Sequence, residues 1–509
     1  MGQFRDNSAT LAQPTRACNA PAGKDAKMIS TRSLLLATTM ALPVPAYADL
    51  TPETLWQDWQ DRAAAAGRSL SAEVEQGAAL TLRGLTVTRP LGDGTVTATF
   101  DRMDLTQAGP DVQVSLPGNQ EITVTANPGE GGESIAVFSL GDGPLTALAK
   151  DATGEPTYTL NADTLTATLL SLTQNGEEVD ADMRADLSGL GGTVSGLSGG
   201  DAPLVADLTA DAVASELIVR DPATGGEVRN TATQQNVAMR AELSGSQGDW
   251  SMIARLESTD STSVSLQSSP EGSFETDSKQ DTSRLALTLT DLRADYTAAL
   301  TGMVTTVSGS IVPMGPLSIV MGAANLSLSL PTGPADGIQT ARVAIDLKDA
   351  TMGDSIWAML DPRGALPRDP GQLSLTAEAD LEMIDVLAPT ALPGDESVPS
   401  LAPRAVRIET LALDLAGATL GGTGAFTIPE GPGGVPNIAE PIGALDLQAT
   451  GLAGLLQQAI AGGIVSAQQA MGAQMMLGMF AVQGNGDTFT SKVETGAGGT
   501  LFVNGNQLR

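Results

Sequence analysis

The chain has no histidine, and its one cysteine, Cys18, lies near the N-terminus. The first absence removes the commonest general base, the usual zinc ligand and every nucleophile that a histidine activates. The second leaves no disulfide framework for the rest of the chain, so its fold rests on its core alone. Aromatic residues are 3% of the sequence, too few for the ring platforms that sugars or single-stranded nucleic acids need. Basic residues are scarce too: 27 against 59 acids, a formal net charge of −32 over 509 residues. Such a surface repels phosphate backbones, which excludes nucleic-acid binding. A phosphate-cradling loop is missing as well, because Gly421-Gly-Thr-Gly424 continues into strand-like Ala425–Ile428 rather than into a helix.

Against these absences stands one clear address. Met28–Asp49 reads MISTRSLLLATTMALPVPAYAD, with Arg32 before an apolar run from Leu34 to Leu42 and small residues at Ala46 and Ala48. That pattern predicts a signal peptide over 28–48, cleaved before Asp49, and its apolar run is far short of the roughly 20 residues that span a bilayer. Translation starting at Met28 makes residues 1–27 an upstream extension that carries Cys18 away with it. The mature chain, 49–509, then holds 57 acids against 22 bases and no cysteine, and a periplasmic location with no transmembrane segment is expected.

Thr51-Pro52-Glu53 followed by LWQDWQDRAAAAG predicts a helix with threonine as N-cap, proline at its first position and Gly67 at its end. Beyond it the period becomes 2. Leu80–Thr88, Thr95–Phe100, Val112–Leu116, Ile122–Thr125 and Thr157–Leu160 alternate apolar with polar residues. The texture returns at Leu285–Thr290, Leu326–Leu330, Val343–Leu347, Leu373–Thr376 and Leu411–Leu415. Gly92-Asp93-Gly94, Pro117-Gly118-Asn119 and Asn175-Gly176 read as hairpin turns. Glu257–Arg284, dense in serine and threonine, reads as a surface excursion or weak boundary. Leu452–Ala461 and Ile464–Phe480 form a helical pair split by Gly462-Gly463, before a final hairpin with Asn504-Gly505. The expected fold is mainly β: an extended or curved antiparallel sheet or groove, with an N-terminal helix and a C-terminal helical hairpin over part of one face.

Two groups of residues are site candidates. Met471, Met475 and Met479 recur every four residues, with Met476 and Phe480 on the adjoining row; core packing is the ordinary role of such a stripe, and an apolar-ligand face is the functional one. Asp361, Arg363, Arg368 and Asp369 form a charge cluster around a proline-set turn, whose arginines are candidates to grip an anionic head group. Glu177-Glu178-Val-Asp180-Ala-Asp182 lacks the spaced ligands of a calcium loop and reads as a solvated acidic loop. No catalytic, cofactor or metal residues are assigned.

The segments SLLLATTMALPVPAYADLTPETLWQDWQ, IWAMLDPRGALPRDP, GGTGAFTIPEG, MGAQMMLGMF and LFVNGNQL together resemble an exported alphaproteobacterial family of unknown function, domain of unknown function 2125. The resemblance implies an envelope location and supplies no activity. Leu411–Ile460 and the closing hairpin are also similar in texture to AsmA-like envelope proteins, which implies a β-groove with an apolar interior. The reading that joins these features is a non-enzymatic periplasmic protein that binds a lipid or other apolar ligand, or an envelope protein, in envelope maintenance. The alternatives are an envelope structural or interaction protein without a small ligand, and a hydrolase working with carboxylates alone.

Overall fold

The computed structural model describes residues 50–509, apart from 66, 92–93, 128–131, 142, 152–155, 197–202, 223, 247–248, 313–314, 334, 336, 384–400 and 432–435. The expected upstream extension, signal peptide and cleavage residues Ala46, Ala48 and Asp49 lie outside the described residues.

Helix α1 (Pro52–Ala65) opens the described chain. Strands β1 (Ser69–Gln76), β2 (Leu80–Leu91), β3 (Gly94–Ala108), β4 (Asp111–Leu116), β5 (Gln120–Asn127), β6 (Ser134–Gly141), β7 (Leu145–Asp151) and β8 (Pro156–Gln174) follow. Then come β9 (Glu177–Glu178), β10 (Ala181–Ser195), β11 (Leu204–Asp221), β12 (Gly226–Ser246), β13 (Asp249–Ser269) and β14 (Gly272–Thr290). The next run is β15 (Arg293–Ser308), β16 (Leu317–Pro331), β17 (Gln339–Met352), α2 (Asp354–Leu360), β18 (Gly371–Met383), β19 (Leu401–Leu415), β20 (Ala418–Thr427) and β21 (Ile442–Thr450). Helices α3 (Leu452–Gly462) and α4 (Ala467–Phe480) precede β22 (Val482–Gln483), β23 (Thr488–Gly496), β24 (Thr500–Val503) and β25 (Asn506–Gln507).

All described strands join one antiparallel sheet. From β10 to β21 each strand pairs with the next in sequence, as hairpin connections dictate. The mainly antiparallel β fold with N- and C-terminal helices is therefore as the alternation predicts. Asn175-Gly176 and Asn504-Gly505 turn tightly, all four residues at positive φ.

Pro117-Gly118-Asn119 is not a hairpin turn. β4 and β5 lie one after the other along β3, against 108–104 and 100–95 respectively, so the three residues interrupt a single strand line. Gln120 fills the break: its Oε1 accepts the Arg102 backbone N–H at 2.9 Å, and its Nε2 donates to the Pro117 carbonyl at 2.9 Å. A buried side chain thus replaces the missing ladder bond.

That break belongs to a seam crossing much of the sheet. Left-handed residues occur inside six of the strands at Gly84, Gly189, Asn236, Asp260, Gly302 and Asp349, with φ between 46° and 61°. The apolar period slips by a residue at this level, as in Leu300-x-x-Met303 around Gly302 and, on β11 facing Gly189, in Leu208-x-Ala210-x-x-Val213. The slip keeps apolar side chains on one face on both sides of the irregularity: Leu82 and Leu85, three apart across Gly84, are buried in the same core. Gly189 and Gly302 have a second reason to be glycine, since a Cβ on either would collide with the carboxylate of Asp211 or Asp281 across the ladder. Gly302→Ala is expected to cost about 1–2 kcal/mol from the left-handed backbone alone, more with the clash. A chemical-denaturation midpoint that does not move would contradict it.

Glu257–Arg284 is neither an excursion nor a boundary. It is the centre of the β13–β14 hairpin, paired from Ser251↔Thr290 to Ser269↔Gly272. Hydroxyls bridge the strands here: Ser258 to Ser283 at 2.7 Å, Thr233 to Thr262 at 2.7 Å and Thr282 to Thr301 at 2.7 Å, with Ser261 joining Ser258 along β13 at 3.1 Å. Cross-strand hydroxyl pairs hold a sheet without apolar residues, which is why low hydrophobicity misreads this segment.

Candidate functional site

The sheet has one apolar face, and α1 marks which. Leu55 and Trp56 pack on Leu80, Leu82, Leu105, Val112, Val114, Ala149 and Tyr158, with Trp59 alongside. Trp59 Nε1 donates to the Tyr158 hydroxyl at 2.7 Å, and burial pushes that phenol pKa up. The register then carries the same face across the sheet. Tyr158 lies opposite Val194, and Val194 opposite Ala206. Leu208 meets Met239, Met239 meets Leu256, and Leu256 meets Leu285. Leu287 continues to Tyr296, then Leu328, Val343 and Ala377. Leu411 and Leu413 on β19, Leu420 on β20, and Leu445 and Leu447 on β21 extend it.

Under α1 this face is a closed core. Further along it is open: Met239, Leu243, Trp250 and Leu326, all on this face, are 37–45% exposed. From β11 to β18 the open part spans roughly 34 Å at about 4.8 Å per strand. Across the seam the face continues with Leu217, Val219, Val228 and Ile319 and is interrupted by Ser263, Ser265 and Ser278. At the hairpin ends Val219, Val228, Phe274 and Ile311 line a cavity of about 370 Å³. Each methylene moved from water onto such a surface is worth up to about 0.8 kcal/mol.

The opposite face is charged. Arg342 pairs with Glu378 at 2.6 Å, and Arg407 bridges Glu378 at 3.2 Å and Asp380 at 2.6 Å. Arg342 and then Arg407 hold the Glu378 carboxyl below its usual range, and Arg407 does the same for Asp380. A carboxyl whose pKa falls on folding stabilises above its unfolded value, near 4, and loses that contribution as pH drops through the folded value. Arg407→Gln is therefore expected to lower stability at pH 7 and to converge on the parent as pH falls below the lowered carboxyl pKa values. Parallel melts across pH test this, and a gap independent of pH would contradict it.

A polar cleft of about 710 Å³ brings Glu409, Asp446 and Lys492 together beside Gly421 and Gly422. Glu494, 2.8 Å away, raises the Lys492 pKa. A hydrolase built on carboxylates needs an acid with a raised pKa. Among the described residues, the carboxyls that shift, Asp186, Asp346, Asp361, Glu378 and Asp380, all move down. No group of three or more metal-ligating side chains occurs among the described residues.

The charge candidates sit on the turn after α2, where Arg368 acts on the Asp361 carboxylate after its backbone partners. Asp361 is fully buried at the C-cap of α2, its Oδ2 accepting the Leu366 N–H at 2.7 Å, and this bond leads the backbone contacts that hold its pKa low. Arg368 lies 5.3 Å over the Trp357 ring and 3.7 Å from Asp354, while Arg363 reaches the backbone at Gly463. Asp369 is exposed. The group locks the turn after α2 against the end of α3, where Gly462 meets Ala365. Gly353 is the N-cap of α2.

The methionine stripe does not take the core-packing role. Met471, Met475, Met476 and Met479 are 56–68% exposed, with Phe480 beside them, and of α4 only Ala470 is buried. They neither pack a core nor line a described cavity. Sequence reasoning missed the open stretch of the sheet face, although the Leu-x-Leu and Ala-x-Leu runs of β11 to β18 signalled it.

Residues 258–497 match the family model DUF2125, described as an uncharacterized protein conserved in bacteria. The DUF2125 match runs from β13 to β23 and takes in IWAMLDPRGALPRDP, GGTGAFTIPEG and MGAQMMLGMF. The N-terminal segment and LFVNGNQL lie beyond it. No curated protein and no solved structure matches the chain, so the AsmA-like texture finds no counterpart. No described helix is long and apolar enough to cross a membrane.

Proposed function

We propose that this DUF2125-matching protein is an exported, non-enzymatic carrier that holds a lipid or similar apolar ligand on the α1 face of its sheet, in periplasmic envelope maintenance. The observation that carries the reading is the uncovered apolar face from β11 to β18, continuous with the closed core under α1. An open apolar area of this extent in a soluble chain calls for an occupant. Export is supported by the Met28–Asp49 pattern.

Native mass spectrometry of Asp49–Arg509 secreted to a periplasm and purified without detergent, followed by organic extraction, tests the reading. A stoichiometric apolar mass is expected. An apo mass that also fails to shift when long-chain fatty acid or phospholipid is added would overturn it.

A further inference from the structure

We propose that the α3–α4 hairpin is a bilayer-docking element that seats the protein on the interface of uncharged or zwitterionic lipid. In a chain of net charge −32, residues 447–486 contain no Asp, Glu, Lys or Arg. This forty-residue stretch covers both helices and the loop between them.

The two helices are fixed very differently. Asp487 caps α3, accepting the Ala453 and Gly454 N–H groups at 2.9 Å each, and the far end of α3 packs on Ala365. Helix α4 is fixed at its ends. Ser466 and Gln469 close its N-terminus as a capping box, and Ser491 Oγ and Asn504 Nδ2 donate to the Phe480 carbonyl at 2.6 and 3.0 Å. Between these anchors Met471, Met475, Met476, Met479 and Phe480 face outward, and Ile464 and Val482 at the two ends are exposed too. A helix apolar round most of its surface is normally buried.

Charge decides the occupant. Protein interfaces keep polar and charged rims, with arginine enriched, and α4 itself carries no charged residue. The lipid interface excludes charge from the side that enters it, and the polar side chains of α4 are the uncharged Gln468, Gln469 and Gln474. Fourteen residues make a helix of about 21 Å, too short to cross a membrane and suited to lying within its surface. Without lysine or arginine the docking gains nothing from anionic lipid, unlike the basic amphipathic helices that depend on it. The inference stands apart from the carrier reading, because α4 lies off the sheet face.

Vesicle flotation of Asp49–Arg509, whose core closes without earlier residues, tests it. The protein is expected to float with phosphatidylcholine vesicles equally at low and high salt, and added phosphatidylglycerol should not strengthen binding. Met475→Glu with Met479→Glu should reduce the bound-to-free ratio at least ~10-fold. The milder pair Met475→Gln with Met479→Gln keeps the helix former and serves if the glutamates perturb folding. Absence of flotation, flotation that survives both pairs, or a dimer that these pairs dissolve without any flotation would each overturn the proposal. A retained apolar mass in the non-floating protein would remove docking and leave the carrier reading standing.

Discussion

Leu105→Ala is expected to lower the unfolding free energy by about 3–5 kcal/mol. Leu105 is 0% exposed, on β3 opposite Leu80 and Val114, where α1 closes over the apolar face. The cavity left by three carbons cannot fill, because α1 is pinned from the other side by Leu55 and by the Trp59–Tyr158 hydrogen bond. Trp56 and Trp59 stack edge-on with ring centroids 6.4 Å apart, so their fluorescence reports this region directly. A denaturant midpoint followed by tryptophan emission should fall well below that of the parent. If it matches the parent, α1 is not held by this core.

Met239→Glu with Leu326→Glu should abolish ligand retention, cutting the apolar mass carried through purification at least ~10-fold while costing little stability. Both side chains lie on the α1 face and both are more than a third exposed, so a carboxylate at either place stays hydrated in the empty protein. A bound acyl chain would strip that water, and burying an unpaired charge is far costlier than any methylene gain. Val320→Glu is the control: Val320 is equally exposed and lies on the opposite face, one residue from Ile319. Loss with the control, or retention with the double variant, would show that the ligand lies elsewhere.

How much of this was legible in advance varied with the kind of signal. Strand existence was plain wherever one face was wet, as in Val343-Ala-Ile-Asp-Leu347. It was obscured in Glu257–Arg284, where hydroxyl pairs and ladder bonds replace apolar contacts. The turn chemistry of Asn175-Gly176 and Asn504-Gly505 was read correctly because left-handed backbone favours those residues wherever they occur. Pro117-Gly118-Asn119 carries the same chemistry but serves as a break in a strand, and only Gln120 and the Arg102 N–H reveal it. The single-residue slip in Leu80-Thr-Leu-Arg-Gly-Leu85 was visible as an imperfection in alternation; that it repeats at one level of the sheet was not.

The sequence by itself determined the acidic, cysteine-free character after Cys18, the exclusion of histidine and thiol chemistry, the helices and the antiparallel strand class. These follow from local period, capping residues and composition, which act within a few residues of one another. Tertiary structure alone decided which alternating runs share a face, that α1 closes only one end of it, and that the methionines of α4 face outward. It also buried the Asp361 carboxylate against backbone N–H groups. Register, helix docking and burial join residues far apart in sequence, and spacing along the chain carries no record of which partner a face will meet.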